Sequence, residues 1–295
     1  MLDRRGFVGA ALAAGVAARA GAVGLPGPSQ ALAELEQTLG GRLGVAVIGA
    51  GRHPFGWREH QRFAFCSSFK LSLAAVVLQG AERGEWRLDE ALPFGREHVL
   101  PNSPALQARL AQCTITIGDA AEAAQKLSDN GASNLLLRRM GGLERINRFW
   151  RGLGDKVSRL DDYETALNRV PLGAVRNTTT PMAMARNLVR LMGQGRSVAT
   201  LKTWMHDTTT GKNRLRAGLP IDWWAGDKTG TGLPADIPGT YVDLAWVEPV
   251  GLPPVAIAAF FQPPKPTPDG DPQSENALAQ VGRIAAQAIL AQKRG

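Results

Sequence analysis

Trp223-Trp224-Ala225-Gly226-Asp227-Lys228-Thr229-Gly230-Thr231 marks a change in the character of the chain. It reads as a strand. Thr240–Val247 and Val255–Phe261 repeat that reading after Gly/Pro turns, and Glu275–Gln292 closes the chain as a helix. Working outward to the other end, Ala31–Gly40 has helical spacing at Leu32, Leu35 and Leu39 and stops at Gly40-Gly41. Arg42–Ile48 then reads as a strand on Val45, Val47 and Ile48, and Arg62–Phe65 as another. Between these ends the pattern is helical. Ser67–Glu82 carries Leu71, Ala74, Ala75 and Leu78 on one face, and further helices fall between Ile117 and Met192. One of them starts at Thr180-Pro181, where Thr caps and Pro suits the first turn. Strands at both ends around a helical middle predict a mixed α/β layer assembled from both termini, with an all-helical insertion. The expected division is an α/β part over residues 29–60 and 202–295 and a helical part over 61–201.

Composition narrows the function classes. The 295 residues are 44% apolar and 20% charged, ordinary for a packed globular protein and unlike a disordered chain. No apolar run reaches the roughly 18–20 residues of a membrane span. Two cysteines build no disulfide framework, and His53, His60, His98 and His206 are too scattered for a zinc site, so neither metal nor cofactor is expected. The net charge of +8 invites a nucleic-acid reading. Its excess is dispersed, however. Arg4, Arg5 and Arg19 lie near the N-terminus, while Arg138, Arg139, Arg145, Arg148 and Arg151 are interleaved with Glu144 and Asp155. Nucleic acid is not an expected partner. Met1–Ala22 reads as a signal peptide of the twin-arginine type, with Arg4-Arg5 ahead of Phe7, an Ala/Gly-rich stretch and small residues at Ala20-Gly21-Ala22. Export to the periplasm or beyond is expected from it.

Four short motifs follow in a definite order. Ser67-Ser68-Phe69-Lys70 puts a hydroxyl and an amine three residues apart at a helix start, where both share one face. A serine needs an adjacent base to become a nucleophile, and a lysine kept neutral by its surroundings can serve. Ser128-Asp129-Asn130 supplies a second hydroxyl and an amide, Glu164-x-x-x-Asn168 a carboxylate and an amide, and Lys228-Thr229-Gly230 another amine on a strand. Each is commonplace alone: a helix cap, a solvated loop acid, a strand end. Together and in this order, they closely resemble the class A serine β-lactamases. The resemblance runs from about Leu32 to Ala291, and includes Ser133-Asn134-Leu135-Leu136-Leu137 and Asn177-Thr178-Thr179-Thr180-Pro181.

That resemblance implies an antiparallel sheet flanked by helices, and a monomer acting on small β-lactam molecules. Ser67 would attack the lactam carbonyl, with Lys70, or Glu164 through a water, taking its proton. Ser128, backed by Lys228, would protonate the departing nitrogen. The backbone N–H groups of Ser67 and Thr231 would form the oxyanion hole. Glu164 with Asn168 would hold the deacylating water, and this carboxylate separates a hydrolase from the penicillin-binding peptidases. Asn130, Lys228, Thr229, Gly230 and Thr231 would line the substrate site. In Thr210-Gly211-Lys212-Asn213-Arg214-Leu215-Arg216, Arg214 is the candidate fork for the substrate carboxylate. A DD-peptidase and a non-catalytic β-lactam or peptidoglycan sensor stand as the alternatives.

Departures from the family pattern carry their own expectations. Class A carbapenemases pair a cysteine at the Cys66 position with one where this chain has Gly232, so that bridge is excluded and both Cys66 and Cys113 are expected free. The usual Arg–Asp ion pair of the Glu164 loop falls on Asp162 and Asn177, which can share only a hydrogen bond, so a looser loop held partly by Arg159–Asp161 is expected. Asn102 replaces the aromatic that commonly flanks the entrance. Cys66, Arg214 and Thr231 lean toward carbapenem hydrolysis, whereas Gly232 and Asn102 lean away.

Overall fold

The computed structural model describes residues 27–49, 53–193 and 195–292. The proposed export segment Met1–Ala22 lies outside them. The N-terminal half contains α1 (Pro28–Leu39), β1 (Arg42–Gly49), β2 (Phe55–Trp57), β3 (Phe63–Ala64), α2 (Lys70–Glu82), β4 (Ala91–Pro93) and α3 (Pro104–Ala108). The middle adds β5 (Thr114–Thr116), α4 (Ile117–Lys126), α5 (Asn130–Arg139), α6 (Leu143–Gly152), β6 (Thr178–Thr179), α7 (Pro181–Gly193) and α8 (Ser197–His206). The chain closes with α9 (Leu215–Gly218), β7 (Trp224–Gly232), β8 (Thr240–Glu248), β9 (Val255–Gln262) and α10 (Pro272–Ala291).

Both ends of the chain build one antiparallel sheet, ordered β2-β1-β9-β8-β7. β1 lies against β9 in register from Arg42↔Gln262 to Gly49↔Val255. Alternation along the strands sorts their side chains between two cores. On one face Val45, Val47, Tyr241, Val247, Ile257 and Phe261 pack under α1 and α10, through Leu32, Leu35, Leu278, Val281 and Ile289. On the other, Ala46, Val242, Leu244, Trp246, Ala258 and Phe260 join a continuous core with the helices of the middle. Because both faces are covered, β8 and β9 read as near-continuous apolar runs. The expected mixed α/β architecture is therefore the observed one.

Local signals explain the element ends. Pro28 opens α1, and Gly40 closes it in the left-handed conformation (φ 68°), returning its N–H to Glu36 O. Thr180 Oγ1 accepts the Ala183 N–H at 3.2 Å at the start of α7. α2 is apolar nearly all round because it is buried on every side, from Leu71 to Leu78. Trp150 of α6 is fully buried against its neighbours, donates Nε1–H to Ser72 Oγ of α2 at 2.9 Å, and stacks obliquely on Phe65. That packing fixes the floor beneath the start of α2.

Three details depart from the sequence reading. The Arg62–Phe65 strand contracts to Phe63–Ala64, which pairs with Thr178–Thr179 of β6 outside the main sheet. The helix read from Ser67 begins as a 3-10 turn, Cys66–Phe69, before α2. Edge strand β2 was unexpected, since three half-buried residues carry no period. We propose the division into a sheet-centred part (29–60 and 202–295) and a helical part (61–201); its second junction falls inside α8. Among the described residues no helix is long and apolar enough to cross a membrane.

Candidate active site

The turn before α2 sets the first group. Cys66 holds a left-handed backbone (φ 49°), which a side-chain-bearing residue adopts only when its surroundings impose it. Its side chain is buried, and burial pushes its thiol above the ordinary range. Both Cys66 and Cys113 are free thiols. β7 presses against this turn at Gly230, where a Cβ would lie 2.9 Å from Ser68 N and 3.1 Å from Ser67 N. Only glycine lets the strand come so close.

Ser67, Lys70 and Glu164 meet directly. Lys70 Nζ donates to Ser67 Oγ (3.0 Å), Ser128 O (2.9 Å) and Asn130 Oδ1 (2.6 Å). Glu164 Oε1 lies 2.9 Å from the same Nζ and accepts the Ser67 hydroxyl at 3.1 Å. The other carboxylate oxygen accepts Asn168 Nδ2 at 2.7 Å. Burial is the main force lowering the Lys70 pKa, opposed by the Glu164 charge. A hydroxyl thus lies between an amine whose proton is loosened and a carboxylate, an arrangement able to take its proton on either side.

Asn134 escaped the sequence reading. From α5 it brackets the backbone of Glu164: its Nδ2 donates to Glu164 O (2.8 Å), and its Oδ1 accepts Glu164 N (3.0 Å). The peptide bond from Glu164 to Thr165 is cis. A buried amide within Ser133-Asn134-Leu135 was the available signal, since such a group has to find partners. The base of the loop is closed by Asn177. Its Oδ1 accepts Asp161 N (2.9 Å) and Asp162 N (3.1 Å), and its Nδ2 donates to Asp162 Oδ2 (2.7 Å). Arg176 adds a 2.8 Å ion pair to Asp162, and Arg159 is paired with Asp161.

Ser128 also has a left-handed backbone (φ 57°) and accepts Lys228 Nζ on its Oγ at 3.1 Å. Lys228 donates in addition to Thr229 O (2.9 Å). Fully buried, and near Lys70, the Lys228 ammonium is pushed down to about 7. Its stability effect has a definite sign. Below pH 7 the folded protein buries this charge; between about 7 and the ordinary lysine value of 10.5 the unfolded chain binds the proton that the folded one has released, so stability rises with pH. Thermal melts should find Lys228→Met more stable than the wild type at pH 6, by about 1–2 kcal/mol, as for other replaced buried charges. That gap should close as the pH rises toward 10. A pH-independent gap would contradict the assignment.

These groups surround a cavity of about 490 Å³ lined by Ser67, Asn102, Ser128, Asn130, Asn168, Arg214, Thr229, Gly230 and Thr231, among others. Lys70, Glu164 and Lys228 stand behind its wall. Asn102 Nδ2 donates to Ser128 O at 2.9 Å, so the amide braces the backbone of the residue that carries the second hydroxyl. Arg214 is less free than a substrate fork would be. Its Nη1 donates to Gly230 O (3.1 Å) and Val242 O (3.0 Å), tying β7 to β8, and Nη2 to Thr231 Oγ1 (2.7 Å). Below β7, Arg216 grips Asp227 in a bidentate pair at 2.6 and 2.8 Å, and Asp243 accepts Leu215 N at 3.0 Å. Burial and the neighbouring Asp227 raise the Asp243 carboxyl well above the usual carboxylate range. Among the described residues, no three His, Cys, Asp or Glu side chains cluster as metal ligands do.

Comparison with known proteins places the chain in a family. The family model of the β-lactamase enzyme family matches residues 27–289. The carbapenem-hydrolyzing β-lactamase KPC of Klebsiella oxytoca is 35% identical over 266 residues, 88% of each chain. The β-lactamase SME-1 of Serratia marcescens is 36% identical over 262 residues, 87% of each. The solved structure of an ancestral (GNCA) class A β-lactamase superposes with a TM-score of 0.82 at 40% identity, covering 88% of this chain and 99% of that one. The chain belongs to the β-lactamase enzyme family, in its class A branch. It is accordingly an enzyme that hydrolyses β-lactams.

Proposed function

We propose that hydrolysis proceeds through an acyl-enzyme on Ser67 that a Glu164-activated water releases. Ser67 Oγ attacks the lactam carbonyl carbon while its proton passes to Lys70 or Glu164. The carbonyl oxygen takes up negative charge, held by the backbone N–H groups of Ser67 and Thr231. Each such donor is typically worth about 10²–10³ in rate. The C–N bond then breaks, and Ser128 gives its proton to the departing nitrogen, drawing on Lys228 and Lys70. In the second half, Glu164 takes a proton from a water held by Asn168, the hydroxide attacks the ester carbonyl, and Ser67 leaves with a proton. Thr229, Thr231, Ser128, Lys228 and Arg214 cradle the substrate carboxylate, whose arrival favours the charged form of Lys228. Asn130 steadies Lys70, and Gly230 keeps β7 close to the nucleophile.

The observation that carries this reading is the Glu164 carboxylate, 3.1 Å from Ser67 Oγ and fastened on its far oxygen by Asn168 at 2.7 Å. The proposed substrates are penicillins and cephalosporins. One relative is a carbapenem hydrolase by name, but Gly232 and Asn102 weigh here against rapid carbapenem turnover. Export by the twin-arginine route completes the proposal, resting on Arg4-Arg5 and Phe7. The test is turnover of a chromogenic cephalosporin and of imipenem by the purified enzyme, together with labelling by a fluorescent penicillin. Wild type should hydrolyse the cephalosporin and lose its label within seconds to minutes, while Ser67→Ala neither labels nor turns over. A label that persists on wild type would mean a penicillin-binding peptidase instead.

A further inference from the structure

The carboxylate-binding end of the cavity contains acids that the reaction does not use. Asp269 and Glu275 both line the cavity, alongside Arg214, Thr229 and Thr231, and Arg214 Cζ lies 5.3 Å from the centre of the Tyr241 ring that anchors the Asp269 loop. Glu275 is engaged: its Oε1 lies 3.5 Å from Arg214 Nε, and its Oε2 accepts Asn213 Nδ2 at 3.2 Å. Asp269 is not. It is exposed on the loop between β9 and α10, and its one hydrogen bond is to the N–H of the next residue, Gly270, at 3.0 Å. Among the described residues no Lys, Arg or His lies within ion-pair distance of it, although Lys265 is on the same loop. The loop itself is anchored just before this residue, where Tyr241 Oη donates to Pro268 O at 3.0 Å and meets Thr267 Oγ1 at 2.9 Å. The Asp269 carboxylate is therefore a charge on the cavity wall with no counter-ion among the described residues.

A free negative charge at this end acts against a ligand whose only charge is a carboxylate, because like charges brought together weaken binding. It acts for a ligand that carries a cation next to that carboxylate. Room for such a group exists. A second hollow of about 310 Å³ shares Glu275 with the cavity; its lining includes Arg283 beside Asn213, Gly270, Pro272 and Asn276, so a cation is favoured at Asp269 itself and not deeper in that hollow. We propose that Asp269 is a specificity-determining residue that directs this enzyme toward β-lactams bearing a positive charge beside the ring carboxylate. The proposal rests on the carboxylate site described under the proposed function.

Two cephalosporins test it, one with a quaternary ammonium on the carbon arm next to the carboxylate and one with a neutral acetoxy group there. Wild type, Asp269→Asn and Asp269→Lys are compared by kcat/KM at low and high salt. Exposed ion pairs are worth roughly 0.2–1 kcal/mol, so Asp269→Asn should cut kcat/KM for the cationic substrate by up to about fivefold, mainly through KM. The neutral substrate should be unchanged or improve. Asp269→Lys should widen the difference, and high salt should narrow it. If the variants change both substrates equally, or neither, Asp269 has no such role although the enzyme is active. If wild type hydrolyses neither substrate, the proposed function falls and takes this inference with it.

Discussion

Glu164→Gln is expected to turn the enzyme into a one-shot trap for its substrate. The amide keeps the size of the carboxylate and can still accept Asn168 Nδ2, so the loop should close as before. What it lacks is the capacity to remove a proton from water. General-base catalysis contributes roughly 10²–10⁴ in rate, so steady-state turnover should fall by about 10³ while the first acylation survives through Lys70. Intact-mass spectrometry after mixing with a penicillin should find the whole protein population heavier by one ring-opened substrate, against an unmodified wild type. Wild-type turnover by this variant would remove Glu164 from the mechanism.

Lys70→Ala should fail in the opposite half of the cycle. Its ammonium is the ion partner of Glu164 and donates to Ser67 Oγ, so acylation should slow by about 10³ with no adduct accumulating. A structural effect accompanies the chemical one. Removing one partner of a buried ion pair typically costs about 3–5 kcal/mol, because the remaining charge has lost its compensation. Adding Glu164→Gln removes that orphaned charge, and the double variant should melt above Lys70→Ala while acylating no faster. Stopped-flow burst kinetics with a chromogenic cephalosporin and thermal melts separate the two effects. Acylation at the wild-type rate in Lys70→Ala would refute its part in activating Ser67.

What could be read in advance follows from the range of each signal. β1, β8 and β9 were legible because short apolar runs bounded by Gly/Pro turns mark buried strands locally. Of the short pairs β3–β6 and β4–β5 only β3 was read, within Arg62–Phe65; the others carry no period over two or three residues, and each exists only because a distant segment lies beside it. Ser67, Lys70, Ser128, Glu164 and Lys228 stood out through the order of four motifs, and they converge in the fold. Asn134 did not, because it acts on a backbone thirty positions away and resembles any other amide in a helix. The Arg216–Asp227 pair was hidden for a similar reason: only folding sets an arginine of the short helix α9 beneath a strand. Arg214 was singled out from its motif, yet its position in the chain gave no hint that two strand carbonyls would occupy half of its guanidinium.

The pairing of β1 with β9 also bears on synthesis. A ribosome completes the first strand some two hundred residues before the last one, so β1 emerges with its central neighbour not yet made. Until β9 emerges a growing chain can own both Ser67 and Lys228, yet neither face of the sheet can close. Antibiotic meeting such a half-finished polypeptide would find no working catalyst, since the strand that carries Lys228 is held in the sheet through β8, which in turn pairs with β9.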